Sequence, residues 1–131
     1  MHRPSILWLE DNGKDRRLIQ EALRELPDAP AVEFVDDGQA FLDRLTETKP
    51  DLAVLDLRMP GLDGMDILEH MHGHPIVARL PVVVFSAGDA PGPIVSEHRY
   101  PVLDYVRKPG TLTEFQAAIA RIAEHARPPS S

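Results

Sequence analysis

The chain has 131 residues, 43% of them apolar and 27% charged, with a net charge of −7 at pH 7 and no cysteine. That length fits one domain with a substantial core. The missing thiols exclude disulfides, cysteine nucleophiles and thiolate metal sites, and the acidic balance argues against non-specific nucleic-acid binding, which rests on neutralising phosphates. The first apolar run, residues 6–9, is too short for a signal peptide or a membrane span, so a cytoplasmic protein with neither a membrane nor a nucleic-acid partner is expected.

In chain order, residues 6–9 (Ile-Leu-Trp-Leu) read as a buried strand with Trp8 in the core. Leu18, Ile19, Ala22, Leu23 and Leu26 then recur at helical spacing until Pro27 and Pro30 stop the pattern. Residues 31–35 read as a second strand, Asp36, Asp37 and Gly38 as a turn and helix cap, and Ala40, Phe41, Leu42 and Leu45 as one side of a helix. A third strand spans 52–56, and Asp63 and Gly64 read as a turn leading into a helix with Met65, Leu68 and Met71 inward, stopped by Gly73 and Pro75. Residues 81–86 and 102–106 read as the last two strands. Thr111 caps a final helix to about residue 125, with Leu112, Phe115, Ile119 and Ile122 on one face and Ala118 and its neighbours left for a partner. Strands apolar on both faces, separated by helix-length segments, predict βαβ units and a doubly wound, five-stranded parallel α/β sheet with helices on both faces.

Ligands of such sheets bind beyond the carboxyl ends of the strands. Polar residues stand at four of those ends: Glu10 and Asp11 after the first strand, Asp56 after the third, Ser86 after the fourth and Lys108 after the fifth. Crowded carboxylates ask for a counter-charge, and an incomplete set of hard oxygen ligands suits hydrated Mg²⁺. A carboxylate nucleophile, a lysine for a developing negative oxygen and a hydroxyl donor fit phosphoryl transfer. Each group taken singly is more simply a cap or a surface ion pair; the four ends together favour a site. His70, His72 and His74 are more simply solvated polar positions than a metal site, because Gly73 and Pro75 interrupt the helix that would align His70 with His74.

Glu10-Asp11, the stretch from Asp56 through Leu-Arg-Met-Pro-Gly-Leu-Asp to Gly64, Ser86-Ala87 and Tyr105-Val-Arg-Lys-Pro109 together resemble the response-regulator receiver domain of two-component signalling. Order and spacing agree as well, with 30 positions from Asp56 to Ser86 and 22 from Ser86 to Lys108. The resemblance implies a flavodoxin-like strand order 2-1-3-4-5. It implies that Asp56 accepts a phosphoryl group from a sensor histidine kinase, and that Glu10, Asp11, Asp56 and the backbone carbonyl of Arg58 hold Mg²⁺. Lys108 would bind a phosphoryl oxygen, the peptide before Pro109 would be cis, and Ser86 and Tyr105 would move together as the switch that a protein partner reads. Such a protein is not an enzyme beyond its own phosphoryl transfer and autodephosphorylation. The expected organisation is a receiver domain over residues 1–126, with its core at about 5–125, a flexible tail at 127–131 and no output domain. The first helix and the long apolar fourth strand are similar to those of single-domain regulators that pair with phytochrome-type kinases, and the family resemblance favours a homodimer.

Two departures from the family pattern stand out. Pro91, Gly92, Pro93 and Pro101 leave room for only a short or irregular fourth helix, near residues 94–99; a regular three-turn helix across 89–101 would reject that expectation. Arg58 and Gly88, each two positions after a site residue, flank the attacking water's route in the family, so the acyl-phosphate lifetime is expected to be unusual. Three other functions compete. An aspartate-nucleophile phosphatase of the haloacid dehalogenase type has a second acid where this chain has Arg58. A flavodoxin-like binder needs a phosphate cradle that Glu10 and Asp11 would repel. A phosphorylation-independent docking module would lack site residues, and none is missing.

Overall fold

The computed structural model describes residues 3–56, 58–59, 62–74, 80–87 and 102–127, with backbone alone at 58–59 and 62–65. The elements are β1 (Ser5–Leu9), α1 (Gly13–Arg24), β2 (Ala31–Val35), α2 (Gly38–Thr48), β3 (Leu52–Leu55), α3 (Gly64–His72), β4 (Val82–Ser86), β5 (Asp104–Arg107) and α4 (Leu112–Ala126). All neighbouring pairs in the main sheet are parallel, in the order β2-β1-β3-β4-β5. Between β3 and α3, Arg58–Met59 and Leu62–Asp63 pair as a two-residue antiparallel ribbon.

The sheet is wound on both faces because its strands alternate between two cores. Ile6, Trp8, Leu52, Val54, Val83 and Phe85 pack with Ile19 and Leu23 of α1 and Phe115, Ile119 and Ile122 of α4. Leu7, Leu9, Ala53, Leu55, Val82 and Val84 pack with Phe41 and Leu45 of α2 and Ile67, Leu68 and Met71 of α3. Trp8 is buried as expected, with its ring centroid 5.9 Å from those of Phe34 and Phe85. The edge strand β2 is half-exposed, and its Glu33 is pinned by the Arg44 guanidinium, a charged blunting of an otherwise open edge.

Local chemistry sets the helix starts. Asn12, Asp37 and Thr111 cap α1, α2 and α4 by accepting from the N–H groups of Asp15, Gln39 and Glu114. Lys49 closes α2 in the left-handed conformation, φ 47°. Gly73 follows the last turn of α3, its N–H donating to Glu69 O.

Four expectations need correction. The fifth strand spans Asp104–Arg107, not 102–106, because its hydrogen-bonded register with β4 begins at the pair of Val83 and Asp104. On α4, Ala118 is buried and not available to a partner, since it lies three residues from Phe115 and four from Ile122 on the same face. Leu112, on the opening turn of that helix, is 59% exposed. The peptide before Pro109 is trans, there being no cis bond among the described residues; trans is favoured by about 0.5–1 kcal/mol at an X–Pro bond, and in that isomer Lys108 already reaches its partners on β3, β4 and α1. The short fourth helix expected near 94–99 lies outside the described residues.

Candidate functional site

Among the described residues three polar side chains are buried, and all three stand at strand ends: Glu10 after β1, Asp56 after β3 and Ser86 at the end of β4. The apolar strands carry them there, since each is the first polar residue after a run that both cores require. Lys108, one residue past β5, is brought to the same edge by its own N–H, which donates to Ser86 O at 2.9 Å.

Asp56 is gripped at both carboxylate oxygens. Ser86 Oγ donates to Oδ1 at 2.7 Å and Lys108 Nζ to Oδ2 at 2.9 Å. Lys108 Nζ also lies 2.8 Å from Glu10 Oε1 and 2.8 Å from Asp15 Oδ2, so three carboxylates converge on one ammonium. Burial alone would lower the lysine's pKa, but the close carboxylates of Asp15, Glu10 and Asp56 outweigh it and hold the group charged well above its ordinary range. Glu10 is raised as well: burial pushes its pKa up, against the opposing pull of Lys108.

Glu10 Oε2 accepts the Asn12 N–H at 3.3 Å, whereas the buried Oε1 has its ion contact with Lys108 and no hydrogen-bond partner. A fully buried carboxylate oxygen is costly unless a cation serves it, and here the Lys108 ammonium occupies that place. Asp11, beside it, is exposed. The donor chemistry therefore fits a hard, oxygen-seeking cation such as Mg²⁺, although among the described residues no three acidic or histidine side chains are drawn together ready to hold one. The reason is visible in the distances: the ammonium of Lys108 stands where the acids meet.

Of the residues expected to form the site, Glu10, Asp56, Ser86 and Lys108 are in contact or one contact removed. Arg58 is described only as backbone in the short ribbon. Tyr105 is half-buried on β5, packed against the core on the α2 and α3 side of the sheet, beside Val84 in the register. His70 and His72 are exposed on α3. The residue that the sequence reading missed is Asp15. In sequence it is an ordinary first-turn acid of α1, explained locally by the helix dipole, and no nearby residue marks it as a partner of Lys108.

Residues 6–120 match the response regulator receiver domain, and the chain belongs to that family. It is 31% identical over 121 residues to the DNA-binding transcriptional regulator NtrC of Klebsiella pneumoniae, covering 92% of this chain and 25% of that protein. It is 29% identical over 126 residues to the protein FilR2 of Methanothrix harundinacea, covering 92% of this chain and 81% of that one. The chain thus spans about a quarter of the length of the NtrC relatives it matches. Among solved structures, the phosphorylated cyanobacterial phytochrome response regulator RcpA superposes with a TM-score of 0.83 at 31% identity, over 95% of this chain and 94% of that one. The Mn²⁺-bound response regulator Rcp1 does so with a TM-score of 0.79 at 27% identity, over 97% and 99%. The protein is therefore a receiver domain of two-component signalling, with the doubly wound 2-1-3-4-5 sheet of that family. No described helix is long and apolar enough to cross a membrane.

Proposed function

We propose that Asp56 is the phosphoacceptor of a two-component response regulator and takes its phosphoryl group from a phosphohistidine of a sensor kinase. The observation that carries this reading is the two-sided grip on a buried carboxylate, Ser86 on one oxygen and Lys108 on the other. In the transfer, an Asp56 oxygen forms the new bond to phosphorus as the phosphorus–nitrogen bond breaks, and the imidazole nitrogen keeps the electron pair. Lys108 is placed to neutralise a phosphoryl oxygen and Ser86 to donate to another once its bond to Asp56 is released. Glu10, Asp11, Asp56 and the Arg58 carbonyl are the residues that would hold Mg²⁺. When bound, the cation supplies positive charge for the phosphoryl oxygens and screens the acids from one another.

Release of Ser86 from Asp56 is the event that a partner would read, with half-buried Tyr105 on the adjoining strand shifting inward as the second part of the switch. The likeness to RcpA, a phytochrome response regulator, supports a phytochrome-type kinase as donor; a cytoplasmic setting and a homodimer belong to the same proposal. Incubation with a small phosphodonor and Mg²⁺, read by intact mass, tests the core of this reading: one phosphoryl adduct is expected in the wild type and none in Asp56→Asn. No adduct, or an adduct that survives the substitution, overturns it. Arg58→Ala is expected to alter the decay rate of that adduct without preventing its formation; equal decay rates would remove Arg58 from the hydrolytic path.

A further inference from the structure

Asp15 belongs to none of the roles above, yet its carboxylate accepts a hydrogen bond from Lys108 Nζ, as Asp56 does. Asp15 Oδ2 lies 2.8 Å from Nζ and Asp56 Oδ2 lies 2.9 Å from it. The arrangement is built in. Asn12, the N-cap of α1, accepts the Asp15 N–H at 3.1 Å and so fixes the backbone from which the side chain reaches. The Lys108 side chain is 10% exposed and that of Asp15 21%, so this pair is shielded from solvent in a way that surface ion pairs are not.

An ammonium has three N–H groups and a compact charge. With Glu10 and Asp56 as its sole partners, Lys108 would settle fully on the two carboxylates that a cation must reach. Asp15 pulls from the α1 side, 93 positions away in sequence, and divides the lysine's attention. We infer that Asp15 is a positioning residue for Lys108: it holds the ammonium partly withdrawn from the pair of Glu10 and Asp56, and so sets how readily a divalent cation enters between those acids. This inference rests on the Mg²⁺ reading given under the proposed function, and it concerns a residue which that reading does not use.

The test is Mg²⁺ titration of the metal-free protein by calorimetry in four variants. Asp15→Asn is expected to weaken Mg²⁺ binding about fivefold, the size of one partly shielded ion pair. In a Lys108→Ala background the same substitution should have no more effect than Glu21→Gln, which removes an exposed acid of the same helix and reports the bare change in charge. Asp15→Glu, which keeps the carboxylate, should restore most of the affinity. An equal weakening with and without Lys108, or none in either, overturns the inference. A second readout needs no metal: Asp15→Asn must shift the ¹⁵N signal of the Lys108 ammonium. If the wild type binds no Mg²⁺, the functional reading fails while this measurement still decides the tether, and an unshifted signal sinks it.

Discussion

Strand β5 carries a charged cluster at each end, and the two are built with opposite proportions. At its carboxyl end one ammonium, Lys108, serves three carboxylates, two of them on buried residues. At its amino end one carboxylate, Asp104, is served by the Arg121 guanidinium at 2.6 and 2.7 Å and by His125 Nε2 at 2.8 Å. The second cluster is satisfied and lies where Arg121 is 58% exposed, so it fastens α4 to the sheet and leaves little charge unmatched. Among the described residues the first sets three carboxylates against one lysine, and it is more shielded from solvent than the second. A cluster that is short of positive charge in a shielded place is prepared for a cation or for a change of bonding; one that is already matched is prepared only to stay.

The contrast can be broken most directly at Lys108. Lys108→Met should cost about 3–5 kcal/mol in urea unfolding at neutral pH, because it strands buried carboxylates without a counter-charge. A loss below about 1 kcal/mol would show that solvent or protonation already serves those acids. Ser86→Ala comes next, at about 1–3 kcal/mol, since it removes the donor from a buried carboxylate oxygen while leaving the lysine in place. Asp104→Asn should cost only about 0.5–1 kcal/mol, as expected of a pair whose guanidinium faces water. If the two ends of β5 proved equally sensitive, the distinction between them would fall.

The pH profile sharpens the same comparison on its two limbs. Burial alone would raise the Asp104 pKa, but His125 and Arg121 together hold it below its ordinary 3.8. Its contribution to stability is therefore present above pH 3.8 and disappears as pH falls through the depressed folded value, and Asp104→Asn should flatten the acid limb there. Lys108 is raised above its ordinary 10.5, so its contribution is full below that pH and lost as pH climbs through the higher folded value. Stability curves of Asp104→Asn and Lys108→Met, measured side by side, should lie below the wild type at neutral pH and converge toward it on opposite limbs, the acid limb for Asp104→Asn and the alkaline limb for Lys108→Met.

Much of this was legible in the residue order. The strands are uninterrupted apolar runs because both faces of the sheet are covered, and that same property makes Glu10, Asp56, Ser86 and Lys108 conspicuous as the first polar groups at four strand ends. Asp37 and Thr111 carry their capping role in their own side chains. What could not be read came from long-range geometry. Asp15 and Lys108 are distant in sequence, and an acid in a first helical turn has a sufficient local explanation in the helix dipole. Asp104, Arg121 and His125 likewise look like ordinary surface charges until β5 and α4 meet. The apolar stripe of α4 differs from its sequence pattern at Leu112, which is exposed, and at Ala118, which is buried, because a small residue such as alanine carries little pattern.

Trp8 is the single tryptophan of the chain. Its indole stands edge-on to Phe85, whose ring lies 5.8 Å beneath the Lys108 ammonium and whose next residue is Ser86. Along its own strand Trp8 is two positions from Glu10. The chain thus carries an intrinsic optical probe wired to the site from two directions, through an aromatic neighbour and through the backbone of β1. Its emission should change when a cation or a phosphoryl group draws Lys108 away, so that site occupancy could be followed in real time on the unlabelled protein.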